Sequence, residues 1–282
     1  MPTFDTPGTI TATVDLVAGD LIVVATDRPD TVVTVRPGTG DADRDVKAAQ
    51  QTRVDFLSGT LTVRGPRQSG LGGLFGKVGT VEVIVELPSG SDLEVKLGVG
   101  GARCTGALGA CRLRSGAGDL QVEQAESLTV TTGMGLVTAE NVTGNASLTT
   151  GSGKLEVRSV AGPAVLKNGN GETWVGRAGG ELRINSANGD IGADHAGAGI
   201  SANTANGNIR VRELVRGAAT LRSAAGRIEV GIRPGTAALL DVHTHYGKVR
   251  NEMTASDGPA ESDERAEVRA RTAFGDILIH RS

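Results

Sequence analysis

The side chains best suited to binding a metal ion lie near the end of the sequence. His243 and His245 are two residues apart in a predicted strand, so their imidazoles share a face, and Asp241 lies on that face too. No further ligand follows at a spacing typical of a metal site. We therefore interpret the pair as exposed strand histidines beside a turn, and we expect no metal ion and no cofactor.

The two cysteines, Cys104 and Cys111, are seven residues apart. Two thiols without further ligands nearby do not make a zinc site. Two alternatives remain open. The thiols are small, partly buried side chains in a reducing cytosol, which is the interpretation we favour, or they form a disulfide across one corner of the fold.

A glycine-rich segment, residues 65–79, resembles a phosphate-binding P-loop where it reads Phe75-Gly76-Lys77-Val78. It lacks the first glycine of that motif, since Leu71 stands there, and Val78 replaces the Ser or Thr that binds Mg²⁺. Nucleotide binding is therefore not expected. The apolar side chains of this loop are instead our candidate contact with a protein partner, because the loop has little to cover them. They are Leu71, Leu74 and Phe75.

No group of acidic, basic or nucleophilic residues recurs as a catalytic cluster would. The residue after each repeated glycine changes type from copy to copy, as Asp119, Lys154, Glu172 and Arg227 illustrate. A calcium-binding β-roll needs a constant acidic column, and a polysaccharide-cleaving β-helix needs a cluster of acidic or basic residues on one face. We therefore predict that the protein is not an enzyme.

The elements that hold these residues form a ladder of short repeats. One glycine recurs at intervals of 18, 17, 18, 18, 18, 18, 19, 21 and 28 residues, which marks one structural unit per period. Apolar residues stand two and four positions after it, as Leu155 and Val157 follow Gly153, and this period of two is that of a β-strand. The pattern predicts an all-β, single-stranded β-solenoid of about ten coils. The repeated glycines are Gly100, Gly118, Gly135, Gly153, Gly171, Gly189, Gly207, Gly226, Gly247 and Gly275.

A small hydroxyl or amide side chain stands three residues before nearly every repeated glycine. Ser, Thr and Asn at a turn bond nearby backbone groups, and stacked copies bond from coil to coil. We therefore interpret this turn column as part of the scaffold and not as a binding surface. Its members are Ser115, Thr132, Thr150, Asn168, Ser186, Thr204, Ser223, Thr244 and Thr272.

The repeat also predicts the domain organisation. Residues 1–90 read as an N-terminal β-cap of short strands that contains the glycine-rich loop 65–79, with a helical turn at Asp43–Gln50. Residues 91–282 form the solenoid. An acidic insertion at 251–267 lies between the last two coils and accounts for the longest glycine interval.

The composition limits the partners. With a formal net charge of −3, few aromatic residues and no basic stripe, the chain is not expected to bind nucleic acid. No apolar stretch approaches the roughly 20 residues that cross a bilayer, so direct membrane insertion is not expected either. The opening MPTFDTPGTI has neither the basic nor the apolar region of an export signal. We expect a cytoplasmic protein.

Two segments, Leu148–Val157 and Ile184–Ile191, resemble the repeats of a bacterial β-strand family labelled "putative adhesin", the toast-rack domains. The opening Thr9–Asp20, the turn Val85–Gly90 and the closing Arg271–Ile279 resemble its soluble actinobacterial members. The resemblance covers essentially the whole chain and implies a right-handed β-helix. It implies no catalytic residues. Some relatives accompany membrane segments and envelope-stress signalling proteins.

These observations predict a non-catalytic scaffold, or a protein-binding or self-assembling module, whose partner is another protein or a second copy of the chain. The exposed strand edges at the ends of a solenoid favour self-association. The alternative function is that of an adhesin-like surface protein, a carbohydrate-binding protein or a component of an envelope-stress sensor, as the family resemblance implies.

Overall fold

The fold is known from a computed structural model that describes residues 1–38, 42–66, 79–253 and 264–282. Within these ranges the chain forms 24 strands and one helix, in two compact units, Met1–Leu136 and Val137–Ser282. The all-β solenoid predicted from the repeat is confirmed, since parallel strands stack in register within each unit. No helix in the described part of the chain is long and apolar enough to cross a membrane.

The N-terminal unit contains nine strands and the helix. They are β1 (Thr3–Asp5), β2 (Thr11–Thr26), β3 (Asp30–Pro37), α1 (Ala42–Gln51), β4 (Arg53–Leu57), β5 (Thr60–Arg64), β6 (Val81–Pro88), β7 (Asp92–Val99), β8 (Ala102–Ala117) and β9 (Leu120–Met134).

Strand β2 is already a complete coil. Its two halves meet at Gly19, whose φ of +147° turns the chain at the corner. One edge of β2 pairs with β5 and β6, and the other edge pairs with β7 and β8, all in parallel. Ala12 thus lies in register between Leu61 and Leu93, and all three are buried.

Antiparallel strands close the outer side of this first coil stack. Strand β4 pairs with β5, β3 pairs with β6, and β1 pairs with β3, each antiparallel. Helix α1 contacts β3 and β6, and its Asp45 accepts a hydrogen bond from the Thr80 N–H at 2.8 Å. Such a cover protects backbone groups that an open strand edge would expose.

The C-terminal unit contains fifteen strands in the described part of the chain. They are β10 (Val137–Val142), β11 (Ala146–Ser152), β12 (Leu155–Val160), β13 (Ala164–Asn170), β14 (Thr173–Ala178), β15 (Leu182–Asn188), β16 (Ile191–Ala196), β17 (Ile200–Asn206), β18 (Ile209–Leu214), β19 (Gly217–Ala225), β20 (Ile228–Ile232), β21 (Thr236–Tyr246), β22 (Val249–Asn251), β23 (Glu264–Phe274) and β24 (Ile277–Arg281).

Each coil of this unit contributes two strands to two parallel stacks. In one stack, β11, β13, β15, β17 and β19 align Leu148, Leu166, Ile184, Ala202 and Leu221, all fully buried. The even-numbered strands β10 to β20 form the other stack. The inward aliphatic columns fill the interior between them, which the period-two alternation predicts.

The repeated glycine turns the corner between the two strands of a coil. Gly207 has a φ of +151°, and a Cβ built on it would lie 2.1 Å from the carbonyl oxygen of Gly189 in the neighbouring coil. The backbones approach so closely at this corner that no side chain fits, and the conformation itself is one that L-residues rarely adopt. Both causes act at the same position, which explains why the glycine recurs.

The last two coils stack in the reverse of their sequence order. Strand β23 pairs with β19 on one side and with β21 on the other, and β24 lies likewise between β20 and β22. The coil that follows the acidic insertion is therefore inserted beneath the coil that precedes it. Of the predicted insertion 251–267, residues 254–263 lie outside the described residues, and Glu264 begins β23.

Candidate functional site at the terminal coil

The three side chains of the predicted loop contact, Leu71, Leu74 and Phe75, lie outside the described residues. The P-loop-like segment ending at Val78 lies outside them as well. Both interpretations stay predictions, and the candidate site is built from the residues that the structure describes.

The side chains of the turn column face the interior and align in register from Thr150 to Thr244. The Ser223 hydroxyl donates to the Gly207 carbonyl of the neighbouring coil at 2.9 Å, and the Thr244 hydroxyl donates to the Gly275 carbonyl at the same distance. These contacts bond the side chain of one coil to the glycine corner of the next.

Two polar atoms of this column are buried without a hydrogen-bond partner among the described residues. They are Asn168 Oδ1 and Ser186 Oγ, which belong to register partners in β13 and β15. The Asn168 amide nitrogen is well satisfied, since it donates to the carbonyls of Gly153 and Gly171 at 2.9 and 3.0 Å. The stabilisation that each polar side chain of the column gives to the stack therefore differs from coil to coil.

Both cysteines are free and buried in the interior of the N-terminal unit. Burial away from water raises the pKa of the Cys104 thiol, and the nearby Cys111 adds to the effect. Burial also raises the pKa of Cys111 to about 12, with a further contribution from Asp92. Neutral thiols in an apolar interior are packing groups and not nucleophiles.

Strand β21 is the outermost strand of its stack. In the part of the chain that the structure describes, it pairs with β23 alone, so the backbone groups along its other edge have no strand partner. Its inward residues Leu240 and Val242 are only half-buried, whereas their register partners Val268 and Ala270 are fully buried. The aliphatic interior of the unit therefore reaches the surface at this coil.

The outward face of β21 carries an exposed leucine, an aspartate and two histidines at successive positions, namely Leu239, Asp241, His243 and His245. Asp241 lies 3.2 Å from Arg271 of β23, and the rings of His243 and His245 meet edge to face with centroids 5.1 Å apart. At the corner Tyr246 stacks on Phe274 with centroids 5.0 Å apart. Tyr246 is 70 % exposed, so this aromatic pair is largely open to solvent. One strand thus carries an ion pair, an exposed aromatic pair and a backbone edge without a strand partner among the described residues.

The predicted histidine pair lies at this edge, and no described side chain joins it as a third ligand. Among the described residues no group of three His, Cys, Asp or Glu side chains is placed to hold a metal ion. Asp241 accepts a hydrogen bond from Arg271 instead, at 3.2 Å. The chemistry available at this site is hydrogen bonding, ion pairing and aromatic contact.

The sequence contains a signal for this edge that the repeat pattern does not explain. His245 occupies a column in which inner coils carry alanine, as at Ala205 and Ala224. Tyr246 shares its column with Phe274 of the adjacent β23, whereas the coils further in carry Ala225 and Asn206 there. The aromatic pair is therefore confined to the last two coils of the stack, and their adjacency becomes visible only with the strand order.

A family model described as Toastrack DUF4097 matches residues 20–280. A structure described as a "putative lipid binding protein" from Parabacteroides distasonis is similar at 12% identity and a TM-score of 0.46, covering 100% of this chain and 95% of that chain. A "putative adhesin" from Bacteroides fragilis is similar at 12% identity and a TM-score of 0.38, covering 99% and 95%. No curated protein matches the chain.

Proposed function

The chain belongs to the toast-rack family, and on this premise we propose that it is a non-catalytic assembly module that pairs with a second copy of itself through β21. The observation that carries the proposal is the edge of that strand, which has no strand partner among the described residues and lies beside half-buried Leu240 and Val242. Exposed edges of this kind template the addition of another strand.

A second copy of β21 complements the first. In an antiparallel pair centred on Val242, Asp241 of each copy lies opposite His243 of the other, so two acid–imidazole pairs form on the outward face. On the inward face Leu240 lies opposite Thr244, which extends the interior of one copy into the other. Such a two-fold arrangement uses the same patch on both partners and closes on itself. Opposite pairs across strands contribute roughly 0.2–1 kcal/mol each.

Replacing His243 by an acidic residue tests this pairing. His243→Asp places acidic groups opposite each other in the dimer, while within one chain it adds an acid beside Arg271. Two repulsive pairs in place of two attractive ones are expected to raise the dimer dissociation constant by about tenfold. The swapped variant Asp241→His with His243→Asp restores complementarity and is expected to recover association. Light scattering across a concentration series provides the measurement.

Asn185→Asp is the matched control, because Asn185 occupies the same outward column in an interior coil. It adds a negative charge to the column without touching the edge and is expected to leave association unchanged. Phe75→Asp tests the glycine-rich loop as the competing contact. A monomer at every soluble concentration would overturn the proposal, as would dissociation by Phe75→Asp with His243→Asp behaving like the parent protein.

We propose a cytoplasmic location for this module. Cys104 and Cys111 support it, since two free, buried thiols are typical of proteins from a reducing compartment. Cell fractionation with an antibody against the native protein tests the location. Recovery from the surface or the culture medium would favour the alternative, an adhesin-like function outside the cell.

A further inference from the structure

A groove of about 450 Å³ lies on the outward face of β14, β16 and β18. Its volume falls in the range of small-molecule sites in proteins. Trp174, Gly192 and Arg210 line its floor on three successive strands in register. The groove is separate from the edge of β21, so this inference is independent of self-association.

The position of Trp174 depends on two glycines. Thr173 and Val175 on either side of it are fully buried, so the alternation of β14 turns the indole outward. A Cβ on Gly192 would lie 3.0 Å from Trp174 Cδ1, and a Cβ on Gly176 would lie 3.0 Å from Cη2. The missing side chains therefore let the indole occupy the sheet surface. It is the only tryptophan of the chain.

The polar rim of the groove is held in place by ion pairs. Arg210 donates to Glu229 Oε1 from Nε at 3.0 Å and from Nη2 at 2.8 Å, and the side chain of Glu229 is only 16% exposed. Arg212 lies 3.2 Å from Asp194. Groups fixed in this way lose little further freedom when a ligand binds, which favours affinity.

The charges around the groove nearly cancel. The carboxylates are Glu172, Asp190, Asp194 and Glu229, and the guanidinium groups are Arg210, Arg212 and Arg227. A charged ligand gains little from such a rim. An anionic nucleic acid also stacks on aromatic rings, but its phosphates require a positive surface that is not present here.

We infer that this groove binds a neutral saccharide. The apolar C–H face of a sugar ring packs on the indole, and its hydroxyls, which both donate and accept, match a rim of carboxylates and guanidinium groups. Asp190 is also held in place: its Oδ1 accepts the Asn208 backbone N–H at 2.7 Å and the Asn208 side-chain amide at 3.2 Å, while Oδ2 accepts the same amide at 3.3 Å and keeps a lone pair for a sugar hydroxyl. The ligand class follows from the indole of Trp174, which offers an apolar surface, and from a polar rim whose positive and negative charges nearly cancel.

Titration with neutral hexasaccharides tests the assignment, and the emission of Trp174 reports binding directly. The probes are the hexamers of β-1,4-glucose, β-1,3-glucose, α-1,4-glucose, β-1,4-xylose and N-acetylglucosamine, with hexagalacturonate and a thymidine decanucleotide as charged comparators. At least one neutral hexamer is expected to shift the emission and to bind by calorimetry. Preference for either charged comparator, or binding by none of the neutral hexamers, overturns the inference.

Variants locate the binding. Trp174→Ala and Asp194→Asn are each expected to weaken calorimetric affinity at least tenfold, whereas Arg183→Gln, an exposed change on β15, leaves it unchanged. Asp194→Asn decides the outcome if Trp174→Ala fails to fold, because Asp194 lies on the surface. Unchanged affinity in Asp194→Asn overturns the site, as does unchanged affinity in a folded Trp174→Ala variant.

Discussion

Ser223 and Thr272 are register partners in adjacent strands, although Thr244 of the same column lies between them in the sequence. In space Thr272 lies between Ser223 and Thr244, because β23 pairs with β19 along one edge and with β21 along the other. The relationship fixes the strand order β19, β23, β21.

Engineered disulfides distinguish this order from a sequential one. Arg222, Arg271 and His243 occupy one exposed column, with Arg222 beside Arg271 and Arg271 beside His243. Strands are about 4.8 Å apart, so Arg222 and His243 are about 9.6 Å apart, beyond the reach of a disulfide. We expect Arg222→Cys with Arg271→Cys to oxidise readily, and Arg222→Cys with His243→Cys to stay reduced. Thiol titration after mild oxidation measures both. The opposite result would establish a sequential order.

Two serines of the turn column are expected to differ in their contribution to stability. The Ser223 hydroxyl donates to the Gly207 carbonyl, whereas Ser186 Oγ is buried without a partner in the described structure. Ser223→Ala is therefore expected to lower the free energy of unfolding by about 1 kcal/mol, and Ser186→Ala to leave it unchanged or raise it. Denaturant titrations of both variants check this. Equal losses would show that the hydrogen bond is not the cause.

The two causes that select glycine can be separated by a matched pair of substitutions. Gly235 has a φ of +82° but no atom within 4 Å of its added Cβ, whereas Gly207 combines a positive φ with a Cβ position 2.1 Å from a carbonyl oxygen. Gly235→Ala is expected to cost about 1 kcal/mol through the backbone conformation alone. Gly207→Ala adds a backbone clash and is expected to cost more than about 3 kcal/mol or to prevent folding. Thermal unfolding measures both, and similar losses would contradict the steric argument.

The buried thiols predict a loss of stability in alkaline solution. The folded state holds Cys111 protonated up to a pKa of about 12 and also raises the pKa of Cys104, whereas unfolded thiols ionise near pH 8.5. Above that pH the unfolded state releases protons that the folded state retains. Each thiol then lowers the free energy of unfolding by up to about 1.4 kcal/mol per pH unit.

The double variant Cys104→Ala with Cys111→Ala provides the control for this pH dependence. It leaves cavities and is less stable at pH 7, but its stability is expected to fall less steeply between pH 9 and pH 11 than that of the parent protein, a range set by the two thiol pKa values. Guanidinium titrations at each pH supply the comparison. Parallel curves for the two proteins would rule out the thiols as the cause.

The sequence predicted the coils well because each repeats the same local physics. Alternation around Gly153 or Gly189 determines which side chains face inward, and the glycine itself marks the corner. Strand order was not predictable in the same way. Every coil presents nearly the same columns, so β19 matches β21 and β23 alike, and only the spatial arrangement shows which one it pairs with. For the same reason the sequence does not show that β2 lies between β5 and β6 on one edge and β7 and β8 on the other.

The candidate sites were predicted less completely than the fold. His243 and His245 were recognised, but their place on an outer edge depends on the strand order. Trp174 stands in a column whose other members vary, which is the pattern of a solvated face. Its groove depends on Gly192, which is 18 residues away and whose missing side chain matters only once the two strands are adjacent.

The insertion of β23 between β19 and β21 bears on the way this protein is made. The ribosome releases β21 before β23, and in that interval the open edge of β19 meets only the coil that belongs one position further out. In the native fold β21 must therefore either stay unpaired with β19 until β23 emerges, or dissociate from β19 when β23 emerges. A nascent chain that has not yet released β23 therefore cannot complete the native order β19, β23, β21.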